Sequence, residues 1–167
     1  YGHGFCTANG APCACATADH TIAISEERSM SSGTDTARFL AAGAVRSLWV
    51  RTRQGMLAEA MPRIRKELAA ENAILESNSV MEFLEPDVYL AVLDADTPDF
   101  KESARRFLGR ADAVLVRSTG AEPRWMGIEP ELLRSKTKFL IEPPEYLTSA
   151  IVAFVRERIG RAAQAVY

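Results

Sequence analysis

The sequence predicts an α/β protein: a three-layer arrangement in which a mainly parallel sheet carries helices on both faces, as one domain over residues 1–167. Three observations point there. Short apolar runs bounded by turn residues alternate with stretches of helical periodicity, the pattern of strand–helix–strand crossovers. One of those runs, Val88-Tyr89-Leu90-Ala91-Val92-Leu93, is almost continuously apolar, as expected of a parallel strand covered on both faces. The totals are those of an ordinary globular chain, with 167 residues, 47% hydrophobic and 25% charged.

The elements follow in order. Residues 1–32 read as a long Cys/Gly-rich irregular stretch holding all three cysteines and both histidines. A loop of that length in a compact domain carries function or is disordered. Residues 33–167 hold the alternating helices and strands. Residues 34–43 form a helix that Thr34 or Asp35 caps and Gly43 stops. Residues 47–52 (SLWVRT) are a strand. Residues 56–70 are an amphipathic helix with Leu57, Ala60, Met61, Ile64 and Leu68 at helical spacing; Pro62 moves its expected start to Ala60 or Met61. Residues 73–76 (AILE) form a short buried strand, residues 81–84 one helical turn, and residues 88–93 the apolar strand. A helix over 99–108, a buried strand over 113–116, a turn near Pro130, a strand over 139–141 and a helix over 146–163 complete the chain. Pro143 and Pro144 keep that last helix from starting earlier.

The formal net charge of −2 offers no general attraction to nucleic acid or to an anionic membrane. The apolar runs are too short to span a bilayer, and the Gly/Cys-rich start lacks the pattern of a secretory leader. Three cysteines within ten residues are an odd number and no disulfide framework, so a cytoplasmic, reducing setting is expected. The chain opens at Tyr1 in a loop-like Tyr-Gly-His-Gly segment, and an upstream piece is expected to precede it.

Four constellations are able to carry chemistry. Glu76-Ser77-Asn78-Ser79 follows an expected strand: a carboxylate there is able to orient a water or a metal-bound water, and the hydroxyls and amide to bond phosphate oxygens, while the plainer reading is a polar turn that caps the next element. Asp94, Asp96 and Asp99 follow the most apolar strand and read either as a cation site or as a solvated turn with Asp99 as a helix cap. Cys6, Cys13, Cys15 and His20, with His3 nearby, offer zinc-type ligands in a loop, although the spacing differs from a C-x2-C knuckle; the alternative is small loop cysteines with no ligand. Gly33-Thr34-Asp35-Thr36-Ala37-Arg38 places Asp35 and Arg38 on one helical turn, as a surface pair at the least.

No phosphate loop of the form G-x4-G-K-S/T occurs, and neither do G-x-G-x-x-G, G-x-S-x-G or H-E-x-x-H. Thr34-Asp35-Thr36-Ala37-Arg38-Phe39-Leu40-Ala41-Ala42-Gly43-Ala44 nevertheless resembles the K-D-S/T-x-R-x-x-x-A-G-A segment of the molybdopterin-guanine dinucleotide biosynthesis adaptor GTPases. These are phosphate-loop NTPases of the MinD/signal-recognition-type class. Leu75-Glu76-Ser77 is similar to the family's V-E-G strand end, with Ser77 in place of its glycine. The resemblance covers about residues 30–94.

It implies a P-loop NTPase-like fold and a nucleotide-binding accessory protein that takes GTP or ATP with Mg²⁺ and hydrolyses it slowly. Asp35 and Glu76 would then work at the reacting phosphate, while Thr34, Arg38, Ser77 and Asn78 would hold the nucleotide. The partners it implies are the nucleotide and a cofactor-biosynthesis enzyme, with a homodimer compatible and neither nucleic acid nor membrane. It also implies that the phosphate loop belongs to the piece expected before Tyr1. The alternative is a metal-binding or metal-delivery module built on the Cys6/Cys13/Cys15 loop with zinc, or an inactive fragment.

Overall fold

A strand that the sequence reading passed over, β2 (Ile22–Glu26), lies at the centre of the first sheet. The structure is a computed structural model and describes residues 5–6, 10–11, 20–69, 72–97, 102–117, 125–142 and 144–165. The chain falls into two compact units, Tyr1–Ile74 and Leu75–Tyr167, and each is described by itself.

In the first unit β1 (Phe5–Cys6), β2 and β3 (Leu48–Thr52) pair in the order β1-β2-β3, and every pairing is antiparallel. This corrects two expectations. Residues 1–32 are not wholly irregular, and the strand over 47–52 does not belong to a parallel sheet. The β-branched Thr21, Ile22 and Ile24 suit a pleated surface, and Ala23, Ile24 and Ser25 are all buried. Helix α1 (Asp35–Ala41) joins β2 to β3. Thr34 caps it by accepting from the Ala37 N–H at 3.1 Å. Its end is closed by Gly43, whose φ of 101° is open to glycine and strained for other residues.

Helix α2 (Leu57–Glu67) runs through Pro62 and so starts before Ala60. The lost bond would have gone to the carbonyl of Ala58. Ala58 and Pro62 are both exposed, so water is able to serve that carbonyl. The expected apolar stripe is present, with Ala60, Met61 and Ile64 buried.

Residues 73–76 form no strand. Ile74 is 83% exposed and Leu75 41%, and the junction between the two units falls between them. Three apolar residues without a neighbouring strand give too little ladder and burial to order the backbone.

The second unit opens with a 3-10 turn over Ser79–Glu82, tied down by the Arg110 guanidinium, which donates to the carbonyls of Met81 and Leu84. It then builds a parallel sheet in the order β4-β5-β6 from β4 (Leu90–Asp94), β5 (Ala113–Arg117) and β6 (Thr137–Ile141). The mixed α/β class and a parallel sheet are thus present, the sheet being small. Helix α3 (Glu102–Phe107) continues as a 3-10 turn over Leu108–Arg110, α4 (Pro130–Arg134) has its proline in the first turn, and α5 (Ser149–Ala165) follows β6. Thr148 starts α5, its hydroxyl accepting from the Ile151 N–H and its carbonyl from the Val152 N–H, three residues later than expected.

The register pairs Ala91 with Val114 and Leu93 with Val116, which puts the four on one face, packed with Leu108, Ala111 and Leu133. Leu115 and Ile141 pack on the other with Ile151 and Val155 of α5. Each buried Val, Leu or Ile among them contributes roughly 1.5–3 kcal/mol. β5 is therefore covered on both faces. β4 was expected to be, yet Val92 is 68% exposed: the cluster that α5 forms with Leu115 and Ile141 on that face does not include it.

Candidate functional site

Parallel sheets present their ligands at the carboxyl ends of the strands, where the helices turn back. In the second unit those ends are Asp94 of β4, Arg117 of β5 and Ile141 of β6. Asp94 and Arg117 are register partners, and the ladder carries one step further, the Ala95 N–H donating to the Arg117 carbonyl at 3.0 Å. Adjacent strand ends thus bring the two side chains together, and Arg117 Nη1 donates to Asp94 Oδ2 at 2.8 Å.

Each group of this pair has further work or spare capacity. Asp94 Oδ1 accepts the Asp96 N–H at 3.0 Å, which folds the turn after β4. The Asp94 carbonyl accepts from the Trp125 indole Nε1 at 2.8 Å and from the Thr97 N–H at 3.2 Å. Trp125 packs its ring against the core cluster with Ile128 and Leu132. The Arg117 Nε–H is buried and has no hydrogen-bond partner among the described residues. A buried donor left unmade costs about 1–3 kcal/mol, so an orphan of this kind asks for an explanation. Asp99 lies outside the described residues.

A second constellation, which sequence reasoning missed, sits in the first unit directly after β2. Glu27 is 8% exposed, and its carboxylate gathers five donors. Oε1 accepts the N–H groups of Arg28 at 3.0 Å and Ser29 at 2.9 Å. Oε2 accepts the hydroxyls of Ser32 at 2.9 Å, Thr34 at 3.0 Å and Thr36 at 3.4 Å. The Ser29 N–H holds the carboxyl below the usual glutamate range; burial pushes the other way, and the Ser32 and Thr34 hydroxyls add to the lowering. The signal was present in the sequence as a Glu-Glu pair followed by five hydroxyl residues within ten positions, Ser29, Ser31, Ser32, Thr34 and Thr36.

The expected site residues are placed as follows. The Thr34 hydroxyl caps α1 and bonds Glu27, so it acts within the fold. Asp35 and Arg38 bond each other at 2.9 Å with side chains 67% and 77% exposed, a surface pair one helical turn apart. Glu76 and Ser77 are exposed in the segment before the 3-10 turn. Asn78 Oδ1 accepts the Tyr89 hydroxyl at 3.3 Å. Tyr89 directly precedes β4, so this contact lies at the amino end of the parallel sheet, away from Asp94. Burial pushes the Tyr89 phenol up, and the Arg110 charge opposes it.

Cys6 is a free thiol on β1, opposite Ser25 of β2, and His20 is exposed two residues before β2. Cys13 and Cys15 lie outside the described residues, as does His3. Among the described residues, no group of three or more His, Cys, Asp or Glu side chains is placed to hold a metal ion. Among them, too, no helix is long and apolar enough to cross a membrane.

The chain matches no protein-family model, no curated protein and no solved structure.

Proposed function

We propose that the chain is a nucleotide-binding accessory protein that takes GTP or ATP with Mg²⁺, in the setting of molybdenum-cofactor biosynthesis, on a three-layer α/β scaffold of the phosphate-loop NTPase kind. The observation that carries the reading is the Asp94–Arg117 pair at neighbouring carboxyl ends of a parallel sheet, the edge at which such sheets take ligands. The apolar clusters on the two sides of β5 support the layered scaffold. A guanidinium at this edge suits a ligand with oxyanion groups, as a nucleotide has.

The 167 residues contain no phosphate loop, whose backbone amides and lysine supply most triphosphate contacts in that class. Binding by these residues is therefore weak, and hydrolysis, which in this chemistry rests on positioning and charge stabilisation, is slow. Asp35 and Glu76 are the residues that the resemblance implies at the reacting phosphate. Asp35 is engaged by Arg38, and Glu76 belongs to the other unit, so no step is assigned to either.

Calorimetry with GTP, ATP and Mg²⁺ tests the reading. A saturable isotherm with an affinity weaker than about 10 µM, roughly −7 kcal/mol, is the expected result. No heat for any nucleotide up to millimolar concentration ends it, and tighter binding shows that these residues hold a phosphate device of another kind.

A second reading, a zinc-binding or metal-delivery module, draws on the free Cys6 thiol and the short chain separation of Cys13, Cys15 and His20, which makes loop closure inexpensive. Elemental analysis of protein purified without chelator tests it. Stoichiometric zinc that is lost on replacing Cys13 and Cys15 with serine supports the module; a trace unchanged by the replacement removes it.

A further inference from the structure

We infer that Arg117 is the oxyanion subsite of this edge and that Asp94 is an internal stand-in which the ligand's phosphate displaces. The inference rests on the nucleotide reading above and names the part of the ligand that Arg117 takes.

An arginine offers two donor edges in a fixed plane, and a bidentate oxyanion takes two parallel N–H groups at once. Here Asp94 takes a single donor, Nη1, with one oxygen, Oδ2, at 2.8 Å, while its other oxygen is committed to the Asp96 N–H. The pair is thus one-point, and the Nε–H is buried with no partner among the described residues. The guanidinium as a whole is not buried: its side chain is 43% exposed and that of Asp94 31%. Partly exposed pairs are weak, so an incoming oxyanion has little to overcome.

A phosphate that swings the guanidinium off Asp94 makes two charge-assisted bonds where there was one, and in doing so satisfies the orphan. Asp94 loses little by the exchange, since the turn after β4 keeps its Oδ1 and its carbonyl engaged whether or not Arg117 remains. The arrangement is a closed one, in which the fold's own carboxylate occupies the place of the ligand's anion.

The test follows the Arg117 Nε–H resonance of ¹⁵N-labelled chain by NMR during titration with inorganic phosphate, AMP, GMP, acetate and guanosine. Phosphate and the monophosphates are expected to move that resonance saturably, and guanosine to leave it in place. Acetate moving it equally well would make the subsite a general carboxylate site and overturn the assignment to phosphate. Arg117→Lys keeps the charge, loses the fork and is expected to weaken AMP binding on the order of tenfold. Asp94→Asn removes the competitor and is expected to tighten it. Nucleotide binding with an unmoved Nε–H and an unaffected R117K sinks this inference and leaves the nucleotide reading standing. Absence of binding by every phosphate compound sinks both. The wild-type titration needs no variant, so poor folding of R117K does not blunt it.

Discussion

Two strand ends in this protein finish on a carboxylate, and they use it in opposite ways. After β2, Glu27 is buried and gathers five neutral donors from its own loop, two amides and three hydroxyls within nine residues. At the end of β4, Asp94 is partly exposed and meets one charged partner from the next strand. A carboxylate saturated by local neutral donors belongs to the folded backbone, because removing it strands several groups at once. A carboxylate held by a half-exposed arginine is exchangeable, because water or another anion can replace either partner cheaply. The sequence draws the eye to Asp94 and its acidic neighbours. Glu27 is the better-built of the two and the less suited to bind anything further.

The comparison can be tested within one chain, because each unit holds one of the two tryptophans, Trp49 and Trp125. The largest effect is expected for Glu27→Ala. It leaves the Ser29 amide and the Ser32 and Thr34 hydroxyls without their acceptor and is expected to cost the first unit about 2 kcal/mol. Denaturation followed by Trp49 fluorescence in a W125F background measures it, and a midpoint indistinguishable from wild type would mean that the loop holds itself without Glu27.

Acid gives the next effect. The folded-state carboxyl of Glu27 titrates below its ordinary value of 4.5, so its contribution is complete above that value and is lost as the pH falls through the lowered one. The Trp49-reported stability of the first unit should drop in that acid window, and E27Q should flatten the drop. Equal pH profiles for wild type and E27Q would place the titrating group elsewhere.

Asp94→Asn is expected to change the Trp125-reported stability by under about 1 kcal/mol, the range of partly exposed ion pairs. A loss as large as that of Glu27→Ala would erase the contrast between the two strand ends. The smallest effect belongs to the Asp35–Arg38 pair, whose removal by Asp35→Asn should cost roughly 0.3–0.5 kcal/mol and less at high salt.

Much of the second unit was legible in the sequence. The apolar runs at 88–93 and 113–116 and the helices beyond them follow from periodicity and turn residues alone, and they lie close to β4, β5, α3 and α5. The first unit was legible in its helices, since a capped threonine and a stripe of Ala60, Met61 and Ile64 are local signals. Of its sheet only the strand over 47–52, which is β3, was legible; β2 was read as part of the irregular stretch over 1–32, and residues 73–76 read as a strand although no ladder forms there. Of the candidate site residues, Asp35 and Arg38 were rightly placed on one helical turn. The strand end assigned to Glu76 does not exist, because the chain there passes between units.

By itself the sequence determined what depends on near neighbours: which segments coil, that the helix after Gly33 is capped at Thr34 or Asp35 and stopped at Gly43, and that no phosphate loop lies within these residues. Only the tertiary structure decided which strands pair and in which direction, and with that which strand ends meet. Asp94 and Arg117 stand 23 residues apart and touch only because β4 and β5 run parallel in register. Local alternation pointed to parallel strands throughout, which holds for β4, β5 and β6 and fails for β1, β2 and β3, because strand direction also depends on how apolar faces are covered across the whole unit, a sum over contacts distant in the chain.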